Sequence, residues 1–318
     1  MPSQRKLGIV MDPIEAIKSW KDTTMAMMLE ARKRGWQIHY FTLDDVRLDN
    51  GIARGRFRIV EAHDDADHWF DYTDDGDCRL DELDAILMRK DPPFDLEYVY
   101  CTYILEQAEE NGVLVVNRPA SLRDCNEKLY TRYFPQCCVE TLVSRNPVDL
   151  KGFIGQHGDV IVKPLDGMGG QSIFRVQAGD PNTNAIIEAV SKYGRSQTMA
   201  QRFIPEISDG DKRILLIDGK PIPYALARLP AAGENRGNIA AGASTRGQPL
   251  SERDHWLCAQ IGPDLRARGL LFVGIDVIGD YVTEINVTSP TGVRELDREF
   301  GINISAELFE CIEARLSG

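Results

Sequence analysis

The sequence predicts an α/β protein in two parts. The first is an N-terminal layered α/β domain on a mostly parallel sheet. The second has α+β character, with an antiparallel sheet that carries helices on one side. Three observations predict this. Short apolar runs at residues 7–11, 38–41, 85–88 and 113–116 alternate with helical stretches at 22–34 and 97–110, the order that builds crossovers onto a parallel sheet. Beyond Arg118-Pro119 the runs become hairpin-like, with Asp218-Gly219 joining residues 213–217 to 221–228. The 318 residues match two domains at roughly 150 residues each.

Each element has a local reason. Residues 7–11 end at Asp12-Pro13. The helix over 22–34 has Asp22 or Thr23 as its cap and Gly35 as its stop. Residues 61–82 hold ten acids and one base, which reads as a solvated acidic face with aromatics anchoring one side. In the second part, residues 122–134 read as a helix ending before Pro135. Residues 159–163 form a strand running into a glycine turn, and 173–176 form the next strand. A helix at 181–193 and a strand at 198–204 follow. Residues 229–247 are rich in glycine and small side chains, long enough to move as a lid. A helix at 251–268, a hairpin of 271–278 with 281–287, and a helix at 303–316 close the chain.

Composition narrows the function. At 43% hydrophobic and 27% charged, the chain reads as an ordinary soluble globular protein. A formal net charge of -12 disfavours nucleic acid, whose binders neutralise phosphates with a basic face. No run of about 18 apolar residues occurs, so no membrane span is expected. The start, MPSQRKLGIVMDP, reads as the first strand and not as a signal peptide. Seven cysteines without a C-x-x-C fit free thiols in a reducing compartment.

Three constellations carry chemistry. In VIVKPLDGMGGQSIFRV, a strand delivers Lys163 to a turn containing Gly167, Gly169 and Gly170. Backbone N–H groups of such a turn can cradle phosphate beside a lysine, and the alternative is a merely tight β-turn. The order does not match a Walker loop. In the last hairpin, Asp276, Glu284 and Asn286 place oxygens in an apolar setting. Glu284 and Asn286 share a strand face, and the set suits a hard cation. The alternative is satisfaction of buried backbone groups. With a strict two-residue turn at Gly279-Asp280, Asp276 would pair with Thr283. One bulge or a three-residue loop would put it across from Glu284, and the metal reading requires that geometry. Third, Arg213 and Arg228 sit on paired strands beside the lid, where guanidinium forks could meet carboxylate or phosphate or simply face water. Lys128, taken alone, reads as a solvated helical lysine.

Taken in order, KLGIVMDP, MRKDPPFD, NRPASLRDCNEK, VKPLDGMGGQSIFRV, GDKRILLIDG, ENRGNIAAG and GIDVIGDYVTEINVTSPTG resemble the ATP-grasp carboxylate-amine ligases, bacterial glutathione synthetases in particular, over nearly the whole chain. The resemblance implies an ATP-grasp fold preceded by the N-terminal α/β domain. The expected divisions are 1–122 for substrate, 123–203 for the central lid domain, and 204–318 for the C-terminal domain with a mobile loop at 229–244. It implies ATP-dependent joining of γ-L-glutamyl-L-cysteine to glycine through an acyl phosphate. Mg2+ is implied, with Mn2+ as a substitute, in a cytoplasmic homotetramer. Lys128 and Lys163 would contact the nucleotide phosphates, and Gly167, Met168, Gly169 and Gly170 would close over the γ-phosphate. Gln201, Arg202, Phe203 and Ile204 would form the adenine hinge. Arg213 and Arg228 would meet the transferred phosphoryl group or substrate carboxylates, and Asp276, Glu284 and Asn286 would hold the metal. Another dipeptide ligase and a non-catalytic nucleotide-binding protein are the rival readings.

Overall fold

A computed structural model describes residues 4–167, 170–229 and 244–317. Strands β1 (Lys6–Val10) and β2 (Gln37–Phe41) pair in parallel, with α1 (Thr23–Lys33) crossing between them. Asp22 starts that helix by accepting the Met25 N–H at 2.7 Å, and Gly35 ends it at φ +76°. Strands β3 (Val46–Asp49), β4 (Ile52–Ala62) and β5 (Phe70–Arg79) add an antiparallel flank to β2. Strands β6 (Ala85–Met88) and β7 (Leu114–Val116) extend the parallel side, joined by α2 (Leu96–Glu110). The sheet has seven strands.

The acidic stretch is solvated as expected, and it takes the form of a hairpin whose second strand is an edge. Its strand β5 is exposed along most of its length, and the Trp69 indole anchors the turn by donating to Ile14 O at 3.0 Å. Aspartates on both faces hide the alternation by which a strand is recognised. Asp77 is held by Arg47 and Arg54, each at 2.5 Å.

The expected helix over residues 122–134 is broken. Helix α3 (Pro119–Asp124) stops, and the chain resumes as a 3-10 turn at Leu129–Tyr133. The Asn126 side chain accepts the N–H groups of Lys128 and Leu129 at 3.1 and 3.0 Å, a local alternative to helical bonding. The break turns Lys128 inward, where it is 2% exposed.

Four antiparallel strands make the second sheet: β8 (Thr141–Ser144), β9 (Asp159–Pro164), β10 (Phe174–Gln177) and β11 (Thr198–Arg202), in the order β10-β9-β11-β8. Helices α4 (Pro147–His157) and α5 (Thr183–Val190) close a separate small core around Leu150, Val160, Val162 and Ile187. The third sheet holds β12 (Asp211–Ile217), β13 (Lys220–Leu229), β14 (Ser244–Pro249), β15 (Phe272–Ile278) and β16 (Tyr281–Asn286), in the order β14-β13-β12-β15-β16. Helices α6 (Glu252–Ala267), α7 (Val293–Phe300) and α8 (Ile304–Leu316) accompany it. Its apolar residues share cores with the first sheet: Ile214 and Val273 cluster with Phe41 and Leu105, and Leu215 and Phe272 with Leu7 and Met25. The first and third sheets are thus welded together, while the second rests on its own core and faces them across a cleft. Among the described residues, no helix is long and apolar enough to cross a membrane.

The Asp218-Gly219 turn has φ +47° and +70°, the left-handed pair that a two-residue hairpin loop needs. It seats directly on Gly262 of α6, where an added Cβ would lie 2.2 Å from Gly219 O. Gly262→Ala should cost about 1–3 kcal/mol by overpacking, read from the midpoint of chemical denaturation. An unchanged midpoint would mean that this contact yields freely.

Candidate active site

A cleft of about 460 Å³ opens among the three sheets. Its acidic wall is set by the last hairpin. Ile278 pairs with Tyr281 and Val277 with Val282; the register then shifts, and Asp276 faces Glu284 while Gly274 faces Asn286. Thr283 is the extra residue, and its hydroxyl donates to Asp276 O at 3.2 Å. The bulge that the metal reading required is present, so Asp276, Glu284 and Asn286 face one space. All three line the cleft.

Cations cover these acids. Arg213 lies opposite Asp276 in the β12–β15 register and donates to its carboxylate through Nε at 2.5 Å and a terminal nitrogen at 3.0 Å. Gly274 leaves room for this arginine, since a Cβ there would lie 2.8 Å from Arg213 Cδ. Arg228 reaches both Asp211 at 2.6 Å and Asp276 at 2.9 Å. Burial opposes the charge on Asp276, but Arg213 and Arg228 outweigh it and hold the carboxyl below its ordinary range.

Glu284 meets Lys128 Nζ at 3.4 Å and Lys163 Nζ at 3.5 Å. Burial raises its carboxyl, and the two ammonium groups overcome that, so it too is lowered. The lysines differ. Burial depresses Lys163 and its partners only partly offset this, whereas Glu284 and Glu127 together raise Lys128. Lys128 also donates to Gly167 O at 2.9 Å, tying the glycine turn to the acidic wall.

Gly167 and Gly170 line the cleft, and Gly170 has φ +75°. Met168 and Gly169 lie outside the described residues, as do residues 230–243 of the expected lid. Gln201, Arg202, Phe203 and Ile204 form the opposite wall. The Arg202 and Phe203 N–H groups are taken by Glu140 O and Asp159 O, at 3.0 and 2.9 Å. Among the described residues, the Ile204 N–H has no such partner.

Two residues were missed by sequence reasoning. Glu127 pairs with Lys128 and lines the cleft, and its carboxyl is raised by burial and by Glu284. Asp211 lines the cleft with its Oδ1 buried and unpartnered. The signal available for Glu127 was its place in NEK, next to the lysine. Asp211, in a hairpin strand of mixed polarity, gave none. A further group, His63, His68 and Asp71, has metal-ligand spacing, but it belongs to the β4–β5 turn and does not line the cleft.

Burial pushes the Asp211 carboxyl up to about 7 despite Arg228, while an unfolded aspartate titrates near about 4. Between those values the folded chain keeps a proton that the unfolded chain has released. Asp211 therefore stabilises the fold in acid and loses that contribution as pH rises through about 7. Asp276, being lowered, has the opposite sign: its contribution stands above the unfolded value and is lost in stronger acid. Asp211→Asn should flatten the change in melting temperature between about pH 5 and about pH 8. The same pH dependence in wild type and variant would refute the shift.

Comparisons with known proteins converge. Residues 6–123 match the family description "Prokaryotic glutathione synthetase, N-terminal domain", and residues 127–301 match "Prokaryotic glutathione synthetase, ATP-grasp domain". The chain is 57% identical over 312 residues to a glutathione synthetase of Pseudomonas aeruginosa, covering 98% of each chain. It is 56% identical over 311 residues to one of Vibrio cholerae, again covering 98% of each. Among solved structures, D-cycloserine synthetase DcsG superposes with a TM-score of 0.70 at 14% identity, over 98% of this chain and 99% of that one. D-alanyl-alanine synthetase A from Vibrio cholerae gives 0.64 at 14% identity, over the full length of both. These structural likenesses show the fold: an N-terminal α/β domain followed by an ATP-grasp unit.

Proposed function

The chain belongs to the prokaryotic glutathione synthetase family, and from that premise we propose how its own cleft performs the ligation. The enzyme joins γ-L-glutamyl-L-cysteine to glycine at the expense of ATP. A carboxylate is a poor acyl donor in water. Moving the ATP γ-phosphoryl group to the cysteinyl carboxylate makes an acyl phosphate, which the glycine amine attacks, releasing phosphate and glutathione.

The observation that carries this reading is the bulged register placing Asp276 across from Glu284, under two arginines and two lysines. Asp276, Glu284 and Asn286 supply hard oxygens, and the Asn286 amide nitrogen is buried without a partner, so the amide is not consumed in stabilising the fold. That set fits Mg2+, or Mn2+ in its place. Asp276, Glu284 and Asn286 would hold the ion, which would supply charge neutralisation for the nucleotide phosphates. Lys128 and Lys163, now paired with Glu284, exchange that carboxylate for phosphate oxygens. Arg213 and Arg228 stabilise the charge that develops on the moving phosphoryl group and the receiving carboxylate. The Ile204 N–H is the hinge donor left for adenine, and the orphan Asp211 oxygen is an acceptor for a nucleotide hydroxyl. Gly167, held by Lys128 through its carbonyl, and Gly170 line the cleft, where they shield the phosphates and keep water from the acyl phosphate.

In this reading residues 1–122 serve the substrate, 123–203 form the lid over ATP and 204–318 carry the metal side. The family resemblance also makes a homotetramer the expected assembly, which sedimentation velocity measures. The direct test incubates purified protein with ATP, Mg2+ and γ-glutamylcysteine, with and without glycine. Glutathione and ADP detected by mass, and only with glycine for the former, are the expected products. Glutathione absent while another amine is ligated would move the assignment to a different carboxylate-amine ligase.

A further inference from the structure

The β4–β5 hairpin gathers metal-ligating side chains away from the cleft. In its register Glu61 faces Asp71 and Ala62 faces Phe70, and the His63 N–H donates to Trp69 O at 2.8 Å to close the turn. Side chains alternate along a strand, so Glu61, His63 and Asp71 project from one face. Asp65 shapes the turn between the strands, its Oδ1 accepting the N–H groups of Asp67 and His68 at 2.7 and 3.1 Å. That bend brings His68 back to His63. The two rings stack with centroids 5.4 Å apart and planes 18° apart.

Both imidazoles converge on one carboxylate oxygen. His63 Nε2 lies 2.9 Å and His68 Nε2 3.1 Å from Asp71 Oδ2, and one ligand atom from each of the three residues lies within 4.8 Å of the others. Donors bound tetrahedrally at about 2.0–2.2 Å from zinc stand roughly 3.3 Å from one another. The two nitrogen–oxygen separations are already close to that value. The imidazoles of His63 and His68 hold the Asp71 carboxyl below its ordinary range, which keeps it ionised as a ligand must be. The His68 and Asp71 side chains are 64% and 49% exposed, so water can complete a coordination shell.

One neighbour opposes an ion here. Arg32 donates to Ala62 O and to the Glu61 carboxylate, each at 2.8 Å, and its Nη1 lies 3.3 Å from His63 Nδ1. Coordination through His63 Nε2 leaves the ring proton on Nδ1, so Arg32 gives up that contact and keeps its other two. Glu61 already neutralises the guanidinium. The rest of the turn favours a cation: it carries Asp64, Asp65 and Asp67, of which Asp64 is paired with Arg294.

We propose that His63, His68 and Asp71 form a binding site for a single divalent transition-metal ion, zinc being the best match. Two imidazoles and one carboxylate suit Zn2+, Ni2+ or Cu2+, whereas Mg2+ prefers an all-oxygen shell. The site is thus chemically distinct from the oxygen set of Asp276, Glu284 and Asn286. Its ion ties the end of β4 to the start of β5, across a hairpin whose outer strand is exposed. None of the three residues lines the cleft, so the ligation itself does not depend on this ion.

Zinc itself is the probe. Purified full-length protein, stripped with a chelator, is titrated with Zn2+ against a chromogenic indicator, in excess Mg2+ and without nucleotide. Wild type should bind one Zn2+ that Mg2+ does not displace. His68→Ala, at an exposed position, should weaken that binding by at least about 10- to 100-fold, the loss that follows even when an outer partner of a metal ligand is removed. Asp71→Asn should weaken it as well. With Cu2+ as the probe, electron paramagnetic resonance should show two imidazole nitrogens in wild type and one in His68→Ala. Serine in place of Cys138 and Cys311, the two cysteines that are not fully buried, should leave zinc binding unchanged. Glutathione formation with Mg2+ should be equal in wild type and His68→Ala, which also shows that the variant is folded. Wild type that binds no zinc, zinc binding unchanged in His68→Ala, its loss in the cysteine variant, or its displacement by Mg2+ would each overturn the assignment and leave the ligase reading intact.

Discussion

Glu284→Gln should leave a folded enzyme whose turnover is lower by on the order of 100- to 1,000-fold and whose rate needs more Mg2+ to reach half-maximum. The glutamine keeps the shape and one carbonyl oxygen but removes the charge that now faces Lys128 and Lys163. Lys128 retains Glu127 as a partner. Lys163, already depressed by burial, loses the carboxylate that supports its charge, so the nucleotide side of the cleft is weakened along with the metal side. Initial rates across a Mg2+ titration, with folding followed by circular dichroism, measure both effects. A folded variant with wild-type turnover and the same Mg2+ midpoint would remove Glu284 from the metal assignment.

Arg228→Lys is expected to lower kcat by on the order of 100-fold while changing stability much less than a neutral substitution would. Arg228 is shared by Asp211 and Asp276 at 2.6 and 2.9 Å, and its Nε is buried without a partner. A lysine preserves charge but cannot present a planar fork to two groups. Arg228→Met is the poorer test, because removing one partner of a buried ion pair costs about 3–5 kcal/mol in itself. Steady-state rates of the lysine variant at saturating ATP and dipeptide decide the matter. Unchanged kcat and KM would show that this guanidinium neutralises Asp211 and Asp276 and does nothing to the substrate.

Most of the scaffold could be read from local signals. The parallel strands β1, β2, β6 and β7 are short apolar runs broken by capped helices, and the Asp218-Gly219 hairpin announces its own turn. Strands β3, β4, β5, β8 and β14 and helices α4 and α7 were not anticipated. Their side chains are mixed in polarity, as on β5, where aspartates occupy both faces of an exposed edge. A pattern-based reading needs one dry face, and these elements lack a clean one.

The sequence by itself determined the chemistry available to the site: the hard oxygens of Asp276, Glu284 and Asn286, the fork-bearing arginines, the glycine turn beside Lys163, and the ordered motifs that mark the family. Tertiary structure decided how these parts are used. Two registers were open to the last hairpin, and the bulge at Thr283 selects the one in which Asp276 faces Glu284. Lys128 looked like a surface lysine on a helix. It is buried because the Asn126 side chain ends that helix and the third sheet closes over the turn, with Ile285 N–H donating to Glu127 O at 2.8 Å. Asp211 was invisible for the same reason. Whether a charged side chain is neutralised depends on neighbours brought from distant parts of the chain, and only packing the three sheets around one cleft settles which charges are cancelled and which are left for substrate.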